Sequence, residues 1–184
     1  IIALDVTSGR TDDALRAARD VQKRRPTESV GYLLEGNIYA SKKAWSEAAN
    51  AYRTGLKQAG TTDLANHLHS ALNAGGKGAE ADSFAASWLK DHTKDRGFRQ
   101  HLAQSEIAKR DYASAARQYQ ALLDIEPNDV LALNNLAWVA GQLKDPKALE
   151  YAERAEKLAP ANPNVLDTYG MLLVDKGDTA RGVE

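Results

Sequence analysis

Residues 148–160 read ALEYAERAEKLAP, and Ala148, Ala152, Ala155 and Ala159 recur every three or four residues. That spacing puts all four on one stripe of an α-helix. Methyl groups offer little apolar area, so such a stripe gains stability only where another helix backbone comes unusually close. The neighbour comes from repetition. The same environment stands at Ala14, Ala48, Ala81, Ala115, Ala148 and Gly182, in steps of 34, 33, 34, 33 and 34 residues. Four residues after each of the first five come Ala18, Tyr52, Ala85, Tyr119 and Ala152, and seven after come Val21, Gly55, Trp88, Leu122 and Ala155, all on one helical face. Twelve after come Pro26, Gly60, Thr93, Pro127 and Pro160, where a helix should stop, Thr93 being the weak member.

The segments that precede these helices align as well. GYLLEGNIY (31–39), LANHLHSAL (64–72), FRQHLAQSEI (98–107), LNNLAWVA (133–140) and LDTYGMLL (166–173) carry apolar residues at helical spacing around a small residue or a His. Short turns, SKKA, GGKG, KRD, LKDP and KGD, join each to the helix that follows. A unit of helix, tight turn and helix with this period resembles the tetratricopeptide repeat. The resemblance implies an all-α fold, a right-handed α-α superhelix in which stacked units share one continuous core. Four full repeats are expected at about 29–61, 62–95, 96–129 and 130–162, with partial units at 1–28 and 163–184, as a single solenoid over 1–184. Against the family pattern, Glu35 stands where Leu is usual, His69 where Gly is usual and Thr93 where Pro is usual. The stretch from Leu136 to Ala148 is one residue short; Asp145 is expected to cap the following helix and Pro146 to occupy its first turn.

The totals exclude several classes. Lys plus Arg number 24 and Asp plus Glu 25, so a net charge of −1 gives no electrostatic case for nucleic acid or an anionic membrane. With no Cys, disulfide and thiolate chemistry are absent. No apolar run approaches the ~18 residues of a membrane span. The opening IIALDVTSGR has neither Met nor signal-peptide character, and the last unit stops at Glu184 inside an expected helix. The sequence therefore reads as an internal piece of a longer protein, with Ile1, Ile2, Leu172 and Val183 expected as apolar end surface covered by neighbouring copies or further repeats.

No catalytic constellation emerges. His67 and His101 share a repeat place, but a two-His metal site without a carboxylate or Cys partner is weak, and a groove-lining or packing role is the alternative. His69 reads as a helix-packing residue and His92 as a solvated turn residue. Glu150, Glu153 and Glu156 alternate with Lys147, Arg154 and Lys157 as on a solvated helix face. The basic runs Lys23, Arg24, Arg25 and Lys42, Lys43 fall near helix ends, where cations complement the dipole. GGKG at 75–78 lacks both the preceding strand and the GK[ST] ending of a phosphate loop. No cofactor and no enzymatic activity are expected.

The resemblance also implies that the first helices line a concave ligand groove. Carried over residue by residue, the lining is Asn37, Asn66, His67, Ser70, Asn73, Gln100, His101, Gln104, Asn134, Asn135, Trp138, Asp167 and Met171. It is amide-rich and nearly uncharged. Carboxylate-clamp members place cations where Gly97 and His101 stand, so a chaperone-tail adaptor is not expected. Asn and Gln pair with a peptide backbone or with sugar hydroxyls. Asn135 matches the asparagine of the superhelix in O-linked sugar transferases, although Leu34, His67, His101 and Thr168 replace it in other units. Trp138 reads either as a groove anchor or as packing between units, and Trp45 and Trp88 as core.

Longer wording narrows the family. GYLLEGNIY, LNNLAWVAGQLKDPKALEYAERAEKLAPANPNVLDTYG and DKGDTARGVE resemble the C-terminal region of the tetratricopeptide lipoproteins that accompany the exosortase and PEP-CTERM sorting system. This implies a periplasmic, lipid-anchored location in a Gram-negative envelope and a link to exopolysaccharide and biofilm assembly; a cytoplasmic location is the alternative. The expected function is a non-catalytic scaffold that binds a polypeptide partner on its concave face. A polysaccharide-binding module and a structural spacer that self-associates end to end are the other readings.

Overall fold

The computed structural model describes residues 11–182. Among them are ten helices of 11 to 14 residues and one final turn of helix, with no strand. In chain order they are α1 (Thr11–Arg24), α2 (Val30–Ser41), α3 (Trp45–Gln58), α4 (Thr62–Ala74), α5 (Gly78–Asp91), α6 (Arg96–Ala108), α7 (Tyr112–Ile125), α8 (Val130–Gln142), α9 (Ala148–Leu158), α10 (Pro163–Asp175) and α11 (Thr179–Gly182). The chain is all-α. Its helices gather into two compact units, Ile1–Phe98 and Arg99–Glu184, whose boundary falls within α6. In the first, each helix from α1 to α4 packs on the next, and α2 also touches α4. In the second, α8 packs on α7, α9 and α10.

Helix starts follow from capping. Thr61 accepts a hydrogen bond from the Leu64 N–H, Asp95 from Phe98, Asp129 from Ala132 and Asn162 from Asn164, each satisfying an otherwise orphaned donor in a first helix. Asp111 does the same for α7: Ser114 donates both its hydroxyl and its backbone N–H, which hold the Asp111 carboxyl below the usual carboxylate range. Asp145 accepts from the Lys147 N–H at 2.9 Å inside the shortened turn, but α9 begins only at Ala148 and has no side-chain cap, so Asp145 does not cap it and Pro146 lies in the turn before the helix rather than in its first turn. Each tight turn contains one residue at an equivalent place with positive φ: Lys43, Gly76, Arg110, Lys144 and Gly177.

The alanine stripe has the neighbour it requires. Ala48, Ala81, Ala115, Ala148, Ala152 and Ala155 are all buried. Gly55, in the same stripe, sits between two first helices: an added Cβ would lie 2.6 Å from the Tyr32 Cβ on α2 and 2.9 Å from Leu64 Cδ2 on α4. Gly36 faces the Tyr52 ring so closely that an added Cβ would fall 2.1 Å from Cε1. His69, in the place of Gly36, is buried and meets the Phe98 ring edge-on at 6.0 Å, confirming it as a packing residue.

Glu35 has a partner that explains its departure from Leu. Gln22 donates to Glu35 at 2.7 Å and Arg19 donates to it at 2.9 Å, both from α1. Gln22 stands where Leu56 and Leu123 stand in later units, so an apolar pair has been exchanged for a polar one on both sides of the seam.

Two further expectations need correction. Leu172 is only 4% exposed, because it faces Ala137, Ala140, Ala148 and Ala152 rather than the end of the stack. The exposed apolar side chains of α10 are Leu166 and Val174. Ile1, Ile2 and Val183 lie outside the described residues. Trp88 is buried as expected, whereas Trp45 is half-buried at the start of α3 rather than in the core. Gly36→Ala is expected to cost about 1–3 kcal/mol by overpacking against Tyr52. Gly60→Ala, whose nearest neighbour would be 3.8 Å away, serves as the control in urea unfolding.

Candidate functional site

In the first unit the candidate residues lie on α2 and α4. Asn37 and Ser70 are exposed, and Asn66, His67 and Asn73 are half-buried. The Tyr52 hydroxyl, reaching from α3, donates to Asn37 Oδ1 at 2.7 Å, and its ring lies 5.3 Å from His67. Tyr52 thus links the candidate faces of two successive first helices. Burial pushes its phenol up to about 12. His67 Nδ1 lies 2.8 Å from the Asp63 carbonyl, which fixes the ring orientation. Asn73 donates to the His69 carbonyl at 3.1 Å and approaches His69 Nε2 at 3.2 Å, so its amide supports the packing histidine. Asn66 Oδ1 is buried with no hydrogen-bond partner.

In the second unit, Gln100 and His101 are half-buried on α6 and Gln104 is exposed. Asn135 is half-buried and hydrogen-bonds the Tyr119 phenol, whose pKa is raised chiefly by burial. Asn37 and Asn135 therefore meet equivalent tyrosines from different sides, one in its own unit and one in the preceding unit. Asn134 departs from the expected lining. It is 9% exposed, because α8 is flanked by α7, α9 and α10, and its Oδ1 has no partner. Asp167 is exposed and Met171 half-buried against the Leu172 cluster. Trp138 takes the packing role: it packs on the core of its unit and meets Tyr112 edge-on at 5.8 Å, and it remains half-buried.

Two features escaped the sequence reading. Leu131 is 53% exposed seven residues before Trp138, hence on the same side of α8; that spacing was the available signal. Glu106 occupies the place of Tyr39, Leu72, Ala140 and Leu173. Gln118 on α7 donates to Glu106 Oε1 at 3.3 Å and accepts from Arg99 at 3.5 Å, while Glu106 Oε2 is buried without a partner. Desolvation raises the Glu106 pKa, opposed by the Gln118 hydrogen bond; Asp111 raises it further, and Arg117 and Lys109 lower it.

His92 is exposed at the end of α5 and stacks on Trp88 at 3.8 Å, so it is solvated on one side only. Trp88 in turn donates to Asp95 at 2.8 Å. Among the described residues, no group of three or more His, Cys, Asp or Glu side chains could hold a metal ion, and no helix is long and apolar enough to cross a membrane.

The repeat pattern and the helix pairs agree with comparisons to known proteins. A family model for the tetratricopeptide repeat matches residues 4–62 and 102–163, and the chain belongs to this family. Its fold is similar to that of YrrB, described as a tetratricopeptide protein with an unusual peptide-binding site, at 19% identity and a TM-score of 0.56, over 90% of this chain and 86% of that one. MamA matches at 17% identity and a TM-score of 0.63, over 84% and 86% of the two chains. PilF of Pseudomonas aeruginosa matches at 18% and 0.61, over 92% and 73%. A comparison by sequence with curated proteins finds no match.

Two titrations are expected. A phenol raised to about 12 favours the folded state fully below pH ~10 and loses that contribution as pH climbs from ~10 to 12. Tyr52→Phe should flatten this alkaline fall in the melting temperature. For Glu106, whose folded pKa is raised, stability is fully present below the ordinary carboxylate range and lost as pH rises through the folded value. Glu106→Gln should therefore melt higher than wild type at pH 7, and the gap should close below about pH 4.

Proposed function

We propose that the chain is a scaffold that binds an extended polypeptide along its first helices. The tetratricopeptide fold makes protein–protein interaction the general role. The observation that carries the finer reading is the character of the candidate face: amides, two histidines and one carboxylate, with no Lys or Arg, beside the half-open Trp138 and the exposed Leu131. Amides offer a donor and an acceptor to a peptide backbone without demanding a charged ligand, and Leu131 with Trp138 adds an apolar anchor. The peptide-binding site attributed to YrrB supports this use of the fold. Wording shared with the exosortase-linked lipoproteins favours an envelope setting on the periplasmic side, connected with exopolysaccharide assembly; fractionation of the full-length protein tests that setting.

Leu131→Asp together with Gln104→Lys alters two exposed positions and leaves the core intact. Peptides selected from a display library on the wild-type chain should bind this double variant at least about tenfold more weakly, a loss of ~1.4 kcal/mol. The melting temperature should stay within about a degree, a surface substitution being worth less than ~0.5 kcal/mol. Unchanged peptide affinity, or saturable binding of oligosaccharides in place of peptides, would move the assignment to the polysaccharide reading.

A further inference from the structure

The place two residues beyond each left-handed turn residue holds Trp45 in the first full unit, Gly78 in the second and Tyr112 in the third. Where it is aromatic, this place plugs the seam toward the next unit. Trp45 comes so close to α4 that its Cβ lies 3.0 Å from where a Cβ on Gly75 would sit. Tyr112 meets Trp138 of α8 edge-on, with ring planes at 80°. In the fourth unit the turn is a residue shorter and Pro146 holds this place, so the turn itself supplies no aromatic side chain to the seam. What stands there is a cavity of about 430 Å³ lined by Gly141, Lys144, Leu149, Leu172, Asp175 and Lys176.

The repeat register ties this cavity to the plugged seam of the first unit. Lys176, just after α10, holds the place of Gly75, just after α4, and Leu172 the place of Ala71. Gly141 lets Leu172 come close at the cavity wall, since an added Cβ would lie 2.7 Å from Leu172 Cδ2. The volume lies within the range of small-ligand pockets. Its lining offers a ring an apolar floor of Leu149, Leu172 and Ala148, with Lys144 and Lys176 lining the same space beside the carboxylates of Asp145 and Asp175. Neither lysine has an ion-pair partner among the described residues. Ammonium groups favour aromatic faces over aliphatic side chains.

We propose that this cavity is a socket for an aromatic side chain presented by a partner polypeptide, standing in for the Trp or Tyr that the shortened turn lacks. The occupant is inferred from how the chain fills the corresponding seams with its own aromatics. The socket lies on the turn side of the second unit and is independent of the amide-rich face, so it adds a second contact to any partner held there.

The test uses the chain itself, followed by 1H–15N spectra during titration with N-acetyl-tyrosinamide, N-acetyl-tryptophanamide and N-acetyl-leucinamide. The aromatic amides should give saturable shifts at Gly141, Lys144, Leu149 and Lys176 at millimolar concentration, several-fold stronger than leucinamide. Lys176→Trp fills the space from within and should abolish those shifts; it changes an exposed residue, so it retains the fold. Leu131→Asp with Gln104→Lys should leave them unchanged. Absence of saturable shifts, equal response to leucinamide, or full response in Lys176→Trp would overturn the proposal.

Discussion

Close approach between helix backbones is the constraint on which the rest of this structure depends. Gly36 lies against the ring of Tyr52, and Gly55 is held between Tyr32 and Leu64 of two different first helices. A second helix that must touch its own first helix and the next one carries small residues where the backbones come closest. The alanines and glycines therefore contribute little burial themselves. They bring together the larger side chains, Tyr52, Leu64, Tyr119 and Leu133, that bury most of the apolar area. A stack built this way has no core within any single unit, so order along the chain and order in space have to coincide.

That constraint is periodic, and the fold was legible for that reason. Ala48, Ala81, Ala115 and Ala148 recur because the same approach recurs, and Gly60, Pro127 and Pro160 recur because each second helix must stop to let the chain return. The departures were visible too, but their resolution was not. Glu35 is conspicuous in sequence as a charge in a leucine's place; that Gln22 and Arg19, 13 and 16 residues away, answer it depends on the seam between their two helices. Glu106 is equally conspicuous, yet only the position of Gln118 shows that one carboxylate oxygen is bonded and the other enclosed.

The candidate face was legible as a face and poorly legible in depth. Helical spacing assigns Leu131, Asn134, Asn135 and Trp138 to neighbouring directions around α8, about 100° apart per residue. It does not say how far the flanking helices close over each direction. Asn134 turns out almost covered, Leu131 open, and Trp138 intermediate because Tyr112 leans on it from the preceding turn. Leu172 was misplaced for the same reason: an apolar residue near the end of a repeat array can face inward as easily as outward. Angular position is local information, whereas burial is set by the neighbour.

The two kinds of departure have different physical consequences. A polar exchange on both sides of a seam, as between Gln22 and Glu35, keeps the volume filled and narrows which helix can dock there, since a leucine-bearing neighbour would leave the carboxylate without its donors. A deletion with no compensating residue, as in the turn before Ala148, leaves volume unfilled. The first device makes one unit selective for its neighbour within the chain. The second gives up packing that the first unit retains through Trp45, and a seam that forgoes such contacts inside one chain is open to contacts from another. Repeat proteins differ most from one another at such places, because the stripe of small residues leaves little freedom elsewhere.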